Sequence, residues 1–305
     1  MATPPITAEF SLKATGQVAR RQALSRASRY ILLSATLFAV AVLIYLAYDV
    51  VQTGWSRISF DFFTSYPSRR PLDAGLRSSL LGWLWLMGAV IVMAIPLAVG
   101  TALFIEEFAP NNWVTSLVRI NISNLAGVPS IIYGILGLAV FVRGFELMGI
   151  TAIPALGPTI LAGALTLTLM ILPMTVIASV EAIRQVPPSI RDGSLALGAT
   201  RWQTVWFHIL PGAIPGIMTG IILAIARAAG ETAALIMIGA FAFIAFDNTA
   251  LNQSFTTVPI QIYNWTILPQ EDFRKNAAAG IVVLMVLIVG LNLIAVLIRE
   301  RFRRT

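Results

Sequence analysis

The chain has 305 residues, 57% apolar and only 11% charged, with a mean hydropathy of +0.83. A soluble domain carries roughly 25% charged residues, so this composition excludes an ordinary water-soluble enzyme and points to an integral membrane protein. The charge of +7 does not point to nucleic acid, because the arginines gather beside apolar segments; without cysteine and with one histidine, His208, thiolate and imidazole-pair chemistry are excluded as well.

In chain order, residues 1–29 form a polar and then basic tail carrying Lys13, Arg20, Arg21, Arg26 and Arg29. No small-residue cleavage site follows the first apolar run convincingly, which predicts an uncleaved span over 30–48. An external loop is expected at 49–77, a five-span core at 78–298 and a short basic tail at 299–305. Within the core, charge-free windows fall at 78–105, 120–142, inside 147–180, at about 215–246 and at 276–298. A spanning helix needs about 20 apolar residues. Each window supplies them, so the expectation is an all-α bundle of six transmembrane helices.

An even count puts both termini on one side of the membrane. The segments sharing that side hold most of the Lys and Arg, which predicts cytoplasmic termini and a cytoplasmic loop at 183–211. The outside loops at 49–77 and 247–275, with Trp55, Tyr66, Trp265 and Pro269, are expected to fold as caps or as partner-facing surfaces. Glu106 and Glu107, at the cytoplasmic end of the second span, read as solvated. Gly127, Pro129, Gly134, Gly137, Gly216 and Gly220 suit close helix packing and kinks, which account for most of them, and are also what a moving bundle requires.

The 183–211 loop reads as two short helices hinged on glycine. Ser189 with Asp192, and Thr200 with Gln203, each fit a capping box, and Gly198 stands where the first helix would stop. Ile190, Gly193, Ser194 and Leu197 would form a narrow face open to another surface. Trp202, Val205, Trp206 and Ile209 would form a second face at the membrane interface. A docking element and a solvated loop lying on the headgroups both satisfy this pattern.

Two charges, Arg227 and Glu231, interrupt the fifth window. An ionised group at the bilayer centre costs about 2.5–3.5 kcal/mol on insertion scales, so it faces an interior, a cavity or a partner. At i and i+4 the two would share a helix face, either as a polar point on a transport pathway or as a pair locking helices together. Asn121, Ser123 and Asn124 are expected to cap the third helix. Ser130 and Tyr133 would line a pore or bond locally to the backbone. No phosphate loop ending in Lys-Ser/Thr, no HExxH and no Gly-x-Ser-x-Gly is present, which argues against catalysis by this chain.

The stretch Asp192, Gly193, Ser194, three residues, Gly198, nine residues, His208-Ile209-Leu210-Pro211 resembles the cytoplasmic signature of ABC-importer permeases, Glu-Ala-Ala, three residues, Gly, nine residues, Ile-x-Leu-Pro. Here Asp replaces Glu, both alanines are replaced, and His208 stands where isoleucine is usual. VPSIIYGILGL at 128–138, ARAAGETAAL at 226–235 and VPIQIYNWTILPQEDF at 258–273 are similar to permeases of bacterial phosphate importers, the last to the A-type (PstA-like) subunits. The resemblance implies a type I ABC importer permease bundle in the bacterial inner membrane, with a cytoplasmic coupling helix. It implies as partners a homologous C-type permease, two copies of a cytoplasmic P-loop ATPase, an external phosphate-binding protein and membrane lipid. No cofactor is expected on this chain, ATP and Mg being used by the ATPase.

By the same resemblance Arg227, Glu231 and Thr232, in the Arg-Ala-x-Gly-Glu-Thr segment, belong to the phosphate pathway, with Ser130 and Tyr133 beside it. Ser189, Arg191, Asp192, Gly193, Ser194, Leu197 and Gly198 belong to the ATPase-coupling element. Another oxyanion or small solute as cargo, or a passive channel or scaffold, are the competing expectations.

Overall fold

The computed structural model describes residues 16–147, 150–240 and 243–303. The first half of the basic tail, with Lys13, lies outside the described residues. Packing divides the chain into two compact units, Met1–Val50 and Val51–Thr305. Helix α1 spans Gln17–Gly54. It is longer than the predicted 30–48 at both ends, because neither Gly nor Pro interrupts the run before Gly54 and the basic stretch from Arg20 to Arg29 continues the same helix.

In the second unit, a short helix α2 (Phe60–Thr64) starts on Ser59, whose Oγ accepts from the Phe62 amide at 3.3 Å. Helix α3 (Arg77–Leu103) follows and continues through a π turn, Phe104–Phe108, closed by the Ala109 amide on the Phe104 carbonyl at 2.8 Å. The third predicted span is not one rod. It is α4 (Trp113–Ala126) and α5 (Ser130–Gly137, running on in a π turn to Val142), bent by 104°. Pro129 lacks an amide proton and sits at ψ 141°, so the α4 ladder cannot pass through it. The start of α4 is capped by Asn112, which accepts from the Thr115 amide at 3.0 Å. Asn121 and Ser123 instead bond back to the carbonyls of Leu117 and Arg119, inside the helix they were expected to cap.

A small antiparallel hairpin, β1 (Phe145–Leu147) and β2 (Ile150–Ile153), then takes up apolar sequence that had seemed available to the fourth span. That span is α6 (Ile160–Arg184), with Thr159 as its cap. Helix α7 (Pro188–Ala196) is followed by α8 (Arg201–Thr204), which runs through a π turn at Val205–Ile209 directly into α9 (Leu210–Ala229). The fifth span therefore begins before Pro215, at Arg201, and stops at Ala229 instead of reaching 246. A five-residue helix α10 (Ala233–Met237), an irregular stretch, α11 (Val258–Ile267) and α12 (Glu271–Arg303) complete the chain. Among the described residues five helices are long and apolar enough to cross a membrane, and the bent α4–α5 pair makes six.

Helix α6 is the centre of the bundle, flanked by α3 and α9, with 67% of its most apolar window buried. Small residues allow that closeness: a Cβ added at Gly216 of α9 would stand 2.7 Å from Ala182 Cβ of α6, and one at Gly220 would overlap Ala178. Trp83, Leu86 and Val90 of α3, Ile160 and Leu167 of α6, and Ala224 and Ala228 of α9 fill the main core.

The segments around 55–77 and 247–276 pack on one another. Phe62 packs on Trp265 with ring centroids 5.8 Å apart. Arg57 donates to Asn276 Oδ1 at 2.7 Å and to the Pro71 carbonyl at 2.7 Å. Arg77 grips Asp247 in a bidentate pair at 2.8 and 2.5 Å, and the Tyr66 hydroxyl donates to the same carboxylate at 3.0 Å. The Arg77 hydrogen bonds hold the Asp247 carboxyl below the usual carboxylate range, against the opposite push of desolvation. A lowered folded-state pKa means the contribution is complete above the ordinary value of about 3.9 and is lost as pH falls through the lower folded value. Asp247→Asn is expected to lower the melting temperature of the purified protein by about 2–4 °C at pH 7. The gap should narrow as melting is repeated at successively lower pH below the ordinary carboxylate value of about 3.9. Identical melting at pH 7 would show that this clasp holds nothing.

Candidate functional site

Two places in the fold collect the predicted site residues, one in the loop between α6 and α9 and one in the span region. In the loop, α7 begins with Pro187 as N-cap and Pro188 as its first residue, and no side chain caps it. Ser189 is thus already the second helical residue, so the Ser189–Asp192 capping box does not form; proline at the first position removes one orphan amide instead. The Thr200–Gln203 box is present in full. Gly198 has φ +85°, which spares the backbone a Cβ clash and lets the Ala199 amide close on the Ser194 carbonyl at 3.2 Å.

Ser189, Ile190, Asp192, Gly193 and Leu197 are exposed, and Leu197 is 91% so. Ser194 is not on that face. It is 8% exposed, and its hydroxyl lies 3.0 Å from Thr204 Oγ1, joining α7 to α8. The Trp202 face divides in the same way. Val205 and Ile209 are buried in the core, while Trp202 and Trp206 stack outside it at 5.6 Å, beside Phe108. Helix α8 is the first turn of a continuous span, so its inner side faces the bundle and only the outer side is free to meet the interface.

Arg191 turns inward. Its guanidinium forms a bidentate pair with Glu107, Nε to Oε2 at 3.1 Å and Nη2 to Oε1. Glu106, one residue earlier in the π turn, accepts from Arg119 of α4 at 2.9 Å and from Arg184 of α6 at 3.1 Å. Arg119 also donates to the Ile105 carbonyl at 2.9 Å. The two glutamates expected to be solvated are the hubs of this cluster, and the Glu107 side chain is only 7% exposed. The available signal was two consecutive acids closing an apolar span on the arginine-rich side of the chain. Their partners lie as far as 84 residues away, a distance that local pattern does not reach.

Inside the membrane, Arg227 and Glu231 do not share a helix face. Helix α9 ends at Gly230, so Arg227 sits in its last turn, while Glu231 lies in the break and accepts the Ala234 amide of α10 at 3.2 Å. A carboxylate bonded to a backbone amide at the start of a helix is a favourable use of that charge. Arg227 is exposed, its Nη1 3.9 Å from the Met174 sulfur, and it has no ion pair among the described residues. Thr232 is half-buried, with its hydroxyl 3.4 Å from the Gly230 carbonyl.

Trp83 was not singled out by sequence, yet its indole donates to the Ala229 carbonyl at 2.9 Å and so satisfies the end of α9. At the other break, the Tyr133 hydroxyl donates to the Leu125 carbonyl at 2.8 Å, a backbone role, while its ring lies within the electrostatic reach of Arg227. Ser130 is the half-buried first residue of α5. The two interrupted segments meet: α5 packs on α10, and a Cβ at Gly134 would stand 2.7 Å from the Ala234 carbonyl oxygen.

Residues 94–304 match the family described as binding-protein-dependent transport system inner membrane component. The sequence is 34% identical over 265 residues to the probable ABC transporter permease protein YqgI of Bacillus subtilis, covering 82% of this chain and 87% of that one. It is 29% identical over 273 residues to the phosphate transport system permease protein PstA 1 of Mycobacterium tuberculosis, covering 87% and 85%. The fold is similar to a chain in the crystal structure of a bacterial alginate ABC transporter in complex with an alginate pentasaccharide-bound periplasmic protein. There the TM-score is 0.68 at 15% identity, over 95% of this chain and 99% of that one.

Since the chain contains no cysteine, single introduced thiols report cleanly. In inside-out vesicles stripped of peripheral proteins, Leu197→Cys is expected to react with a bulky impermeant maleimide about tenfold or more faster than Ser194→Cys. Equal rates would mean that α7 is turned differently about its axis.

Proposed function

This chain belongs to the family of inner-membrane components of binding-protein-dependent transport systems, and from that premise we propose that it is the A-type permease subunit of an ATP-driven importer of inorganic phosphate. It is a multi-pass, non-catalytic membrane subunit, and the hydrolysis that drives it belongs to a separate ATPase. The observation that carries the phosphate reading is Arg227, a cation within the span region that Glu231 does not neutralise, in the same short segment that breaks the fifth span. An anion crossing the bilayer needs such a group in a low-dielectric setting, and needs it unpaired, so that the cargo supplies the missing charge.

The full proposal has four further parts. A homologous C-type permease completes the pathway, and two copies of a cytoplasmic P-loop ATPase drive it. One of these copies seats the exposed face of α7, formed by Ser189, Ile190, Asp192, Gly193 and Leu197 around the Gly198 turn. An external phosphate-binding protein docks on the cap, and both termini are cytoplasmic. Closure of the ATPase pair pushes on α7, and the bundle exchanges outward for inward access. In this reading Thr232, in the break after α9, and Ser130, at the start of α5, offer hydroxyls to the anion. Tyr133 shapes the α4–α5 bend at which Ser130 lies. Binding at Arg227 must stay weak, because a tight site would slow release.

The proposal is tested by reconstituting the complex in vesicles and following ATP-dependent uptake of labelled phosphate, with sulfate and molybdate as competitors. Arg227→Gln is expected to leave assembly intact and to reduce uptake about ten- to a hundredfold, the equivalent of a lost charge-assisted hydrogen bond of roughly 1.5–3 kcal/mol. Undiminished uptake by this variant removes Arg227 from the pathway. Uptake of a competitor in place of phosphate changes the cargo.

A further inference from the structure

The connection between α7 and the rest of the bundle is unusual in its chemistry. By chain connectivity α7 is joined only to α6, through 185–187, and to α8, through the Gly198 turn. Its one buried residue is Ser194, and it contributes no side chain to the apolar core of the cytoplasmic half, which is built from α3, α6, the 205–209 turn and α9. Toward the end of α3 the space is unfilled: a cavity of about 260 Å³ lies there, lined by Glu106, Glu107, Arg191, Leu195, Arg201 and Thr204. Across it the hold is ionic, from Arg191 to Glu107.

We propose that the Arg191–Glu107 pair is a tether that carries movement of α7 to the cytoplasmic end of α3, and that Glu106 passes it on to α4 and α6. This rests on the assignment of α7 as the ATPase-facing helix. Three features of the geometry support it. The pair is bidentate and Glu107 is nearly buried, so separating the charges leaves a carboxylate stranded away from water; the link resists pulling as well as pushing. The π turn at Phe104–Phe108 shifts the register of the helix at that point, and two adjacent carboxylates there serve different partners, Glu107 on α7 and Glu106 on Arg119 and Arg184. The adjacent cavity means that apolar packing does not substitute for the ion pair as the link between α7 and the end of α3. A coupling helix that moved only its covalent neighbours would shift α6 and α8 alone. With the tether, the ends of α3, α4 and α6 move with it.

Glu107 and Arg191 are positioning residues in this scheme and touch neither cargo nor nucleotide. The test uses the whole reconstituted complex with Glu107→Gln, with Arg191→Lys, and with the exchanged pair Glu107→Arg/Arg191→Glu. Glu107→Gln is expected to keep its ATPase and to hydrolyse ATP within about twofold of the parent, while phosphate moved per ATP falls about tenfold. Arg191→Lys, which keeps the charge and loses the fork, should fall between the two, and the exchanged pair should recover most of the ratio. An unchanged ratio in Glu107→Gln overturns the tether. So does loss of the ATPase from Glu107→Gln that the exchanged pair does not restore, since the pair is then only a brace for the loop.

Spin labels at the exposed positions Ala196 and Asn111 give a readout that does not depend on cargo. Their separation should stay constant through the ATP cycle in the parent and vary in Glu107→Gln. If the wild-type complex moves no phosphate, the proposed function fails; the label distances still decide the tether.

Discussion

In hydrocarbon no water is available to a free backbone amide or carbonyl, and each one left unsatisfied costs several kcal/mol. A span can be broken only where protein covers the break. This chain breaks two of its spans, at 127–129 and at 230–232, and covers both. The Tyr133 hydroxyl takes the Leu125 carbonyl, the Trp83 indole takes the Ala229 carbonyl, and Glu231 takes the Ala234 amide. Packing of α5 on α10, made possible by the missing side chain at Gly134, brings the second half of one broken span against the helix that follows the other break. The two charges of the predicted fifth window, Arg227 and Glu231, fall at the second of these breaks, where Glu231 finds an amide partner.

The half of the bundle that carries α7 follows a different rule. Its apolar core holds α3, α6 and α9 together, but the loop helix α7 lies outside that core, and its inward contacts are a hydroxyl pair and an ion pair. An element attached by directional polar contacts can shift as a body without repacking a core, whereas close-packed interiors resist small displacements. The bundle thus combines a close-packed centre around α6 with a loop helix held by directional polar contacts.

Much of this was legible from local pattern. Hydropathy located the spans because a bilayer demands about twenty apolar residues of each. The Gly198 turn and the Thr200–Gln203 box were legible because capping is an interaction between neighbours in sequence. Other features were not. The expected Arg227–Glu231 face assumed that a charge-poor window is one helix, and Gly230 ends it. The Ser189 box failed because the helix starts at Pro188, two residues earlier than that box requires, and Ser194 turned from the outer face because Thr204 offered it a partner. Glu106 and Glu107 seemed solvated because their arginines lie far along the chain.

By itself the sequence determined the membrane class, the approximate places of the apolar spans, the arginine-rich side, the absence of a nucleotide-binding loop, and the signature segments that mark the family. All of these are properties of composition or of short stretches. The tertiary structure alone decided where spans stop being helices, which side of α7 is free, and which charges are neutralised. Each of these depends on groups that come together only when distant segments pack. The physical reason is the same throughout: hydropathy and capping act over a few residues, whereas the satisfaction of a buried polar group is settled by whatever neighbour the fold brings to it.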